Sequence, residues 1–240
     1  MNYNWNWEVI FIQPYAGWLL MGLQLTLVIA CFASIIAFCI GATVGVLRTV
    51  ENPVLRSAAT TYVEFFRNIP LLVQLFLWFF VVPELLPKEW GRFLKRDLPH
   101  PEVVTAIVAL GLYQGAAIAE TVRAGIQSIG RGQTFAGLAI GLTRFQVYRH
   151  ILLPVTFRTI IPPLASTFLS IVKDSSLALT IGVLEITAQS RQIETYTFQG
   201  FEAFFAATVL YQVITIVVIF VMQYVEKRVQ VPGMLSLAQK

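Results

Sequence analysis

The run VIFIQPYAGWLLMGLQLTLVIACFASIIAFCIGATVGVL, from Val9 to Leu47, contains no Lys, Arg, Asp or Glu and decides the class of this protein. A helix that crosses the hydrocarbon core of a bilayer needs about 20 mostly apolar residues, and this run is longer than that. Three further uncharged runs follow, at 68–83, 103–119 and 203–225. The sequence therefore predicts an integral membrane protein.

The overall composition supports the same class. Apolar residues make up 57% of the chain and charged residues 12%, whereas soluble proteins carry about 25% charged residues. A very apolar soluble helical protein is the alternative, but so little charge leaves it without a polar surface. The net charge of +4 is modest and the basic residues are scattered, which does not favour nucleic-acid binding.

Neither the cysteines nor the histidines form a recognisable site. On one helix, Cys31 and Cys39 are separated by about 12 Å of helical rise, which is beyond disulfide reach. His100 and His150 are the only histidines and both lie near predicted membrane edges. The sequence predicts no metal site.

The apolar pattern predicts one all-α domain over residues 1–240 with about five transmembrane helices. Helices are required because strands with open edges would leave backbone groups unsatisfied in lipid. Pro70 is expected to bend or break the second span, and Pro162 and Pro163 suit the start of the fourth. The predicted spans are 17–46, 58–82, 103–126, 163–184 and 204–224.

Basic residues predict the orientation of these spans, because cytoplasmic loops carry an excess of Lys and Arg. With the amino terminus outside and the carboxyl terminus cytoplasmic, ten basic residues fall inside and five outside. The inner set is Arg48, Arg56, Arg123, Arg131, Arg144, Arg149, Arg158, Lys227, Arg228 and Lys240, and the outer set is Lys88, Arg92, Lys95, Arg96 and Arg191.

A polar stretch at 127–157, between the third and fourth spans, is long for a connection in a helical bundle. Residues 134–140 predict a short helix that stops at Gly141, and residues 145–153 predict a second one that ends at Pro154. Two short helices that meet at a glycine form a cytoplasmic elbow. Another protein can bind such an elbow and move the spans attached to it.

This elbow resembles the cytoplasmic coupling loop of ABC-importer permeases. The family pattern is E-A-A, three residues, G, nine residues and I-x-L-P, and the stretch GQTFAGLAIG at 132–141 followed by ILLP at 151–154 has the same spacing. Phe135 stands where the family has glutamate, which suggests that this copy couples differently from a partner that keeps the acid. The resemblance assigns coupling to an ATPase to Gln133, Phe135, Ala136, Gly137, Gly141, Ile151, Leu153 and Pro154.

The flanking segments resemble the polar amino-acid permeases within that superfamily. They are YVEFFRNIPLLVQLF from Tyr62, AETVRAGIQS from Ala119, RTIIPPL from Arg158 and SIVKDSSLA from Ser170. The segment PELLP from Pro83 is similar to permeases of glutamate/aspartate importers in particular.

The resemblance implies a type I ABC-importer permease fold in the bacterial inner membrane, and an importer of polar amino acids, most similar to those for glutamate and aspartate. It also implies a second permease subunit, either identical or different, with the missing glutamate favouring a different one. Cytoplasmic ATPases and a periplasmic amino-acid-binding protein would complete the assembly. ATP and Mg would then bind to the ATPases and not to this chain.

Polar groups inside the spans are candidates for the substrate pathway, because they are costly at membrane depth. The candidates are Gln74, Ser170, Lys173, Asp174, Ser175 and Ser176, and a structural pair fixing the helix remains an alternative for Lys173 and Asp174. Glu64 with Arg67, and Glu120 with Arg123, stand three residues apart, a spacing that favours structural ion pairs over a pathway role.

Two other function classes fit less well. An ATPase-independent secondary transporter or channel for small polar solutes would use the same midspan charges, but it gives no reason for the elbow. An intramembrane enzyme would need a histidine at membrane depth or an H-E-x-x-H motif, and the sequence has neither. The chain also lacks a phosphate-binding G-x-x-x-x-G-K-[ST] loop, so we expect a transport subunit that is not itself an enzyme.

Overall fold

A computed structural model describes residues 3–229, and every regular element in this range is helical. Twelve α-helices lie within it, joined in places by short 3₁₀ or π-helical turns. They are α1 Tyr15–Leu47, α2 Pro53–Asn68, α3 Leu71–Phe76, α4 Val82–Leu85, α5 Lys88–Arg92, α6 Pro101–Gln127, α7 Arg131–Ala139, α8 Arg144–Val147, α9 Leu153–Thr159, α10 Ile161–Asp174, α11 Ile186–Thr197 and α12 Gly200–Val229.

Four helical segments of this range are long and apolar enough to cross a membrane. They are α1, α6, α12 and the segment Ile161–Ile181, in which α10 continues as a 3₁₀ helix from Ser175. The predicted first, third, fourth and fifth spans are thereby confirmed to within five residues at each end. Lys240, part of the orientation count, lies outside the described residues.

The predicted second span is a broken helix. The α2 axis and the segment Leu71–Leu85 meet at an angle of 104°, and the break falls at Ile69 and Pro70. Proline lacks a backbone N–H and forces the preceding residue into an extended conformation, so Ile69 has φ −107° and ψ 127°. The prediction that Pro70 breaks this helix is confirmed.

The helices α1 and α6 form the centre of the bundle through close glycine contacts. A Cβ atom added at Gly41 would lie 2.7 Å from the carbonyl oxygen of Gly115, and one added at Gly45 would lie 2.7 Å from that of Ala119. Small residues let two membrane helices approach until their backbones touch, which supplies packing where lipid offers no hydrophobic driving force.

Two parts of the structure differ from the prediction. The second elbow helix does not end at Pro154. Instead α8 passes through a π-helical turn, Tyr148–Leu152, directly into α9. The amide of Leu153 bonds to the carbonyl of Tyr148 across this wider turn, which directly precedes Pro154, a residue without a backbone N–H for the helical ladder.

The second difference is α11, an amphipathic helix between the last two spans that the apolar pattern did not predict. Its amino end is held by the buried Glu185, whose carboxylate accepts hydrogen bonds from the amides of Thr187 and Ala188 at 2.9 and 2.8 Å. The hydroxyl of Tyr211 on α12 donates to the same carboxylate at 2.5 Å. These bonds fix α11 against α12.

Candidate coupling elbow and translocation surface

The elbow begins with α7, which ends at a glycine in the left-handed conformation. Gly141 has φ 89°, as expected from the sequence. The amide of Leu142 donates to the carbonyl of Gly137 at 3.1 Å, and the amide of Gly141 donates to the carbonyl of Leu138 at 3.0 Å. This pair of bonds is a Schellman motif, which closes a helix and turns the chain sharply.

The two halves of the elbow pack closely on each other. Gly137 is buried, and a Cβ atom there would lie 2.8 Å from Cδ1 of Ile151. Thr143 and Gln146 form a capping box at the start of α8, with the Gln146 amide bonded to the Thr143 hydroxyl at 3.3 Å. The absence of a side chain at Gly137 therefore permits the close contact with Ile151, and the capping box begins the second helix directly after the turn.

Two side-chain contacts connect the elbow to the end of α1. The hydroxyl of Tyr148 donates to the carbonyl of Thr49 at 2.9 Å, and Arg144 forms an ion pair with Glu51. A displacement of the elbow would therefore be transmitted to the junction of α1 and α2.

The outer surface of the elbow carries large apolar side chains. Phe135 is 65% exposed, Ile140 78% and Phe145 71%. Among the other predicted coupling residues, Gln133, Ala136 and Pro154 are exposed, while Ile151 and Leu153 are half-buried beneath them. An exposed apolar surface with polar neighbours is typical of a protein interface.

A cavity of about 1820 Å³ lies between the elbow, α2 and the adjoining ends of α1 and α6. Its charged lining consists of six arginines and two glutamates, so its potential is positive. These residues are Arg48, Arg56, Arg123, Arg131, Arg144, Arg149, Glu51 and Glu64.

Glu120 is the centre of an ionic cluster beside this cavity. It forms ion pairs with Arg123 on its own helix and with Arg48 at the end of α1. Nη1 of Arg67 lies 3.9 Å from Oε2 of Glu120, so the expected pairing of Arg67 with Glu64 is wrong. Glu64 instead accepts a hydrogen bond from Asn68 at 3.3 Å.

The midspan polar residues of α10 divide into exposed and buried groups. Lys173 is exposed on the surface of the chain, and Asp174 accepts a hydrogen bond from Gln114 on α6 at 2.6 Å. The hydroxyls of Ser170 and Ser176 bond to carbonyls of their own helix. Ser175 is fully buried and bonds to the carbonyl of Val172 at 2.7 Å, so it does not line the surface as predicted.

Gln74 is also buried within the chain. Its side-chain amide donates to the carbonyls of Phe66 and Ile69, both at 2.8 Å. The break at Pro70 leaves the carbonyls of Phe66 and Ile69 without helical partners, and Gln74 satisfies both. This geometry favours a structural role for Gln74 over the pathway role expected from the sequence.

Two residues of these clusters were not identified from the sequence. In the sequence Gln114 belongs to an uncharged run, although an amide in the middle of an apolar helix is itself a signal of a polar partner. Arg48 stands at the end of a span, where the sequence indicates only an orientation charge. Its side chain is 9% exposed, which marks it as part of the Glu120 cluster.

Comparison with known proteins places these features in a family. Residues 37–231 match the family described as binding-protein-dependent transport system inner membrane component. The glutamate/aspartate import permease protein GltJ of Escherichia coli (strain K12) is 42% identical over 242 residues, covering 97% of this chain and 98% of that protein. The glutamine transport system permease protein GlnP of the same organism is 31% identical over 231 residues, covering 96% of this chain and all of that protein (100%).

A solved structure agrees with the sequence comparisons. A chain in the crystal structure of an amino acid ABC transporter with histidines superimposes with a TM-score of 0.79 at 25% identity, covering 95% of this chain and 100% of that one. This chain belongs to the family of binding-protein-dependent transport system inner membrane components and is a multi-pass inner-membrane protein.

Proposed function

We propose that this chain is a permease subunit of an ATP-driven importer of polar amino acids, with glutamate and aspartate as its substrates. The observation that carries the proposal is the 42% identity to a glutamate/aspartate import permease across nearly the full length of both chains. Similarity of this extent includes the elbow, the Glu120 cluster and α10, and is not confined to one motif.

The elbow supports an ATPase as the driving partner. Its exposed apolar surface at Phe135, Ile140 and Phe145 offers an interface, and its contacts with Thr49 and Glu51 connect that interface to the spans. ATP and Mg bind to the partner in this proposal. Mechanical coupling is the contribution of this chain.

Lys173 and the arginine-lined cavity support an anionic substrate. A charged side chain within a span is costly in lipid, so the exposed ammonium of Lys173 must face another subunit or a water-filled path. Of the six arginines in the cavity lining, Arg48, Arg123 and Arg144 are ion-paired with Glu120 or Glu51, and the other three still outnumber Glu64, which lowers the electrostatic energy of a carboxylate there. A second permease subunit and a periplasmic binding protein complete the proposed assembly.

A reconstituted transport assay tests the substrate. The chain is purified with its ATPase, second permease and binding protein, and uptake of labelled glutamate into liposomes is competed with unlabelled aspartate, glutamine or histidine. We expect aspartate to compete and the other two to have little effect. Competition by glutamine or histidine instead would contradict the substrate but leave the importer intact.

Replacement of Lys173 tests its role in the same assay. Lys173→Met should reduce glutamate uptake about tenfold or more, since an intramembrane cation that faces the path is removed. Lys88→Met, at an exposed position of α5, is the control and should leave uptake unchanged. Equal uptake by both variants would exclude Lys173 from the pathway.

A further inference from the structure

The segment before α1 is bound to the start of α12 by a set of polar and aromatic contacts. The backbone amide of Asn6 donates to Oε1 of Glu202 at 2.8 Å, and the hydroxyl of Tyr3 donates to the same carboxylate. Glu202 is fully buried, and Tyr3 and Asn6 of the amino-terminal segment donate to its carboxylate. Desolvation, and then the hydrogen bond to the Glu202 carboxylate, raise the pKa of the Tyr3 hydroxyl.

Five aromatic rings form a continuous cluster at this junction. The ring centroids of Tyr3 and Phe201 are 4.9 Å apart, those of Trp5 and Trp7 are 5.8 Å apart and stacked, and those of Trp7 and Phe205 are 5.2 Å apart. Such edge-to-face and stacked pairs are favourable beyond the area that they bury. We call this cluster, Tyr3, Trp5, Trp7, Phe201 and Phe205, the aromatic anchor.

Most of the aromatic anchor faces outwards from the chain. Trp5 is 57% exposed, Phe201 63% and Phe205 55%. Residues 3–11 include a single charged residue, Glu8, and no basic residue. Water is therefore an unfavourable environment for this surface. The segment also has no basic side chain that could attract acidic lipid headgroups.

The surface continues directly into a face that lipid must cover. α12 is among the most apolar helices of the chain, and only 17% of its most apolar window is buried. Its outward side chains below the aromatic anchor include Val213, Val217 and Phe220, all more than half exposed. The anchor lies at the end of this apolar stripe, next to the start of α12.

We propose that the aromatic anchor inserts into the lipid–water interface at the end of the bundle that carries the amino terminus. Trp and Tyr favour this depth because the ring body is apolar while the N–H or O–H remains hydrated. The partner is a phospholipid surface, recognised through aromatic partitioning and not through charge. By its contacts with Glu202, the anchor fixes the depth of α12 in the membrane.

Fluorescence quenching in lipid nanodiscs tests this proposal. In a Trp18→Phe/Trp78→Phe/Trp90→Phe background of the full chain, Trp5 and Trp7 are the only tryptophans. We expect phosphatidylcholine brominated near the headgroup to quench their emission about twofold more than lipid brominated near the acyl end. Added phosphatidylglycerol should leave the quenching unchanged.

Other occupants of the surface give different results. Ready quenching by aqueous iodide with none by brominated lipid would place the tryptophans in water and overturn the proposal. Lipid quenching that disappears when the second permease or the binding protein is added would identify a protein interface and also overturn it.

Variants of Glu202 test the link between the segment and α12. Glu202→Ala removes the acceptor for Tyr3 and Asn6 and should reduce quenching by the shallow bromine about twofold. Glu202→Gln retains an acceptor oxygen and should behave like the parent. If Glu202→Ala does not fold, the quenching measured in the Trp18→Phe/Trp78→Phe/Trp90→Phe chain still shows whether Trp5 and Trp7 lie in lipid or in water.

Discussion

Gly141 is the single residue on which the shape of the elbow depends most. Its φ of 89° lies in the left-handed region, where a side chain other than glycine costs about 1–2 kcal/mol and a β-branched one more. The Schellman bonds from Gly141 and Leu142 require that conformation.

Gly141→Val should therefore abolish ATP-driven uptake without preventing membrane insertion, because the distortion is confined to the elbow. Gly132→Ala is the matched control, since Gly132 has open space around it and lies within α7. Uptake and the amount of protein in the membrane are measured together. Normal uptake by Gly141→Val would argue against the elbow as the coupling element.

Phe135 is a second single residue that affects coupling, because it replaces the acid of the coupling-loop pattern with an apolar ring. It is 65% exposed, so its ring is available to a partner. Removing an aromatic side chain from an interface often costs about 1–2 kcal/mol, so Phe135→Ala should weaken ATPase docking about tenfold. Phe93→Ala, at a 45% exposed position outside the elbow, should not. Unchanged ATPase crosslinking in Phe135→Ala would refute this role.

At the scale of elements, the packing of α1 on α6 limits what the bundle tolerates. Gly41 meets the backbone of α6, and a larger side chain there must push the helices apart. We expect Gly41→Leu to lower the free energy of unfolding by about 1–3 kcal/mol, as overpacked cores do. Cys39→Leu adds bulk to an exposed face of α1 and serves as the control in thermal unfolding in detergent. Equal stability of the two variants would contradict this packing.

The break between α2 and α3 gives a second prediction at this scale. Gln74→Met removes both donors to the carbonyls of Phe66 and Ile69, and each unsatisfied buried group costs about 1–3 kcal/mol. Val73→Met, at the exposed neighbouring position, is the control and should leave the stability almost unchanged. Thermal unfolding distinguishes them, and a stable Gln74→Met with impaired uptake would restore the pathway role.

The apolar runs predicted the spans well because length and hydropathy alone determine which helices can cross a bilayer. Local rules also placed the break at Pro70 and the turn at Gly141, since each depends on one residue's backbone. The ion pair between Arg67 and Glu120 could not be predicted, because it joins two helices whose relative rotation is a tertiary property. The helix α11 was missed because it has no apolar run, and its start depends on a buried glutamate.

At the scale of the whole molecule, the chain presents three surfaces with different environments. Its long helices face lipid, its elbow carries exposed apolar side chains, and Lys173 needs a polar neighbour. A chain working alone in a membrane would leave the last two uncovered. The proposed assembly with an ATPase and a second permease covers both.

Purification of the tagged chain from mild detergent, followed by mass spectrometry of the proteins that accompany it, tests this account most directly. We predict an ATPase and a second permease subunit in the preparation, and ATP hydrolysis that increases when binding protein and glutamate are added. A chain that purifies alone, yet transports amino acids into liposomes without ATP, would contradict the account and favour a secondary transporter.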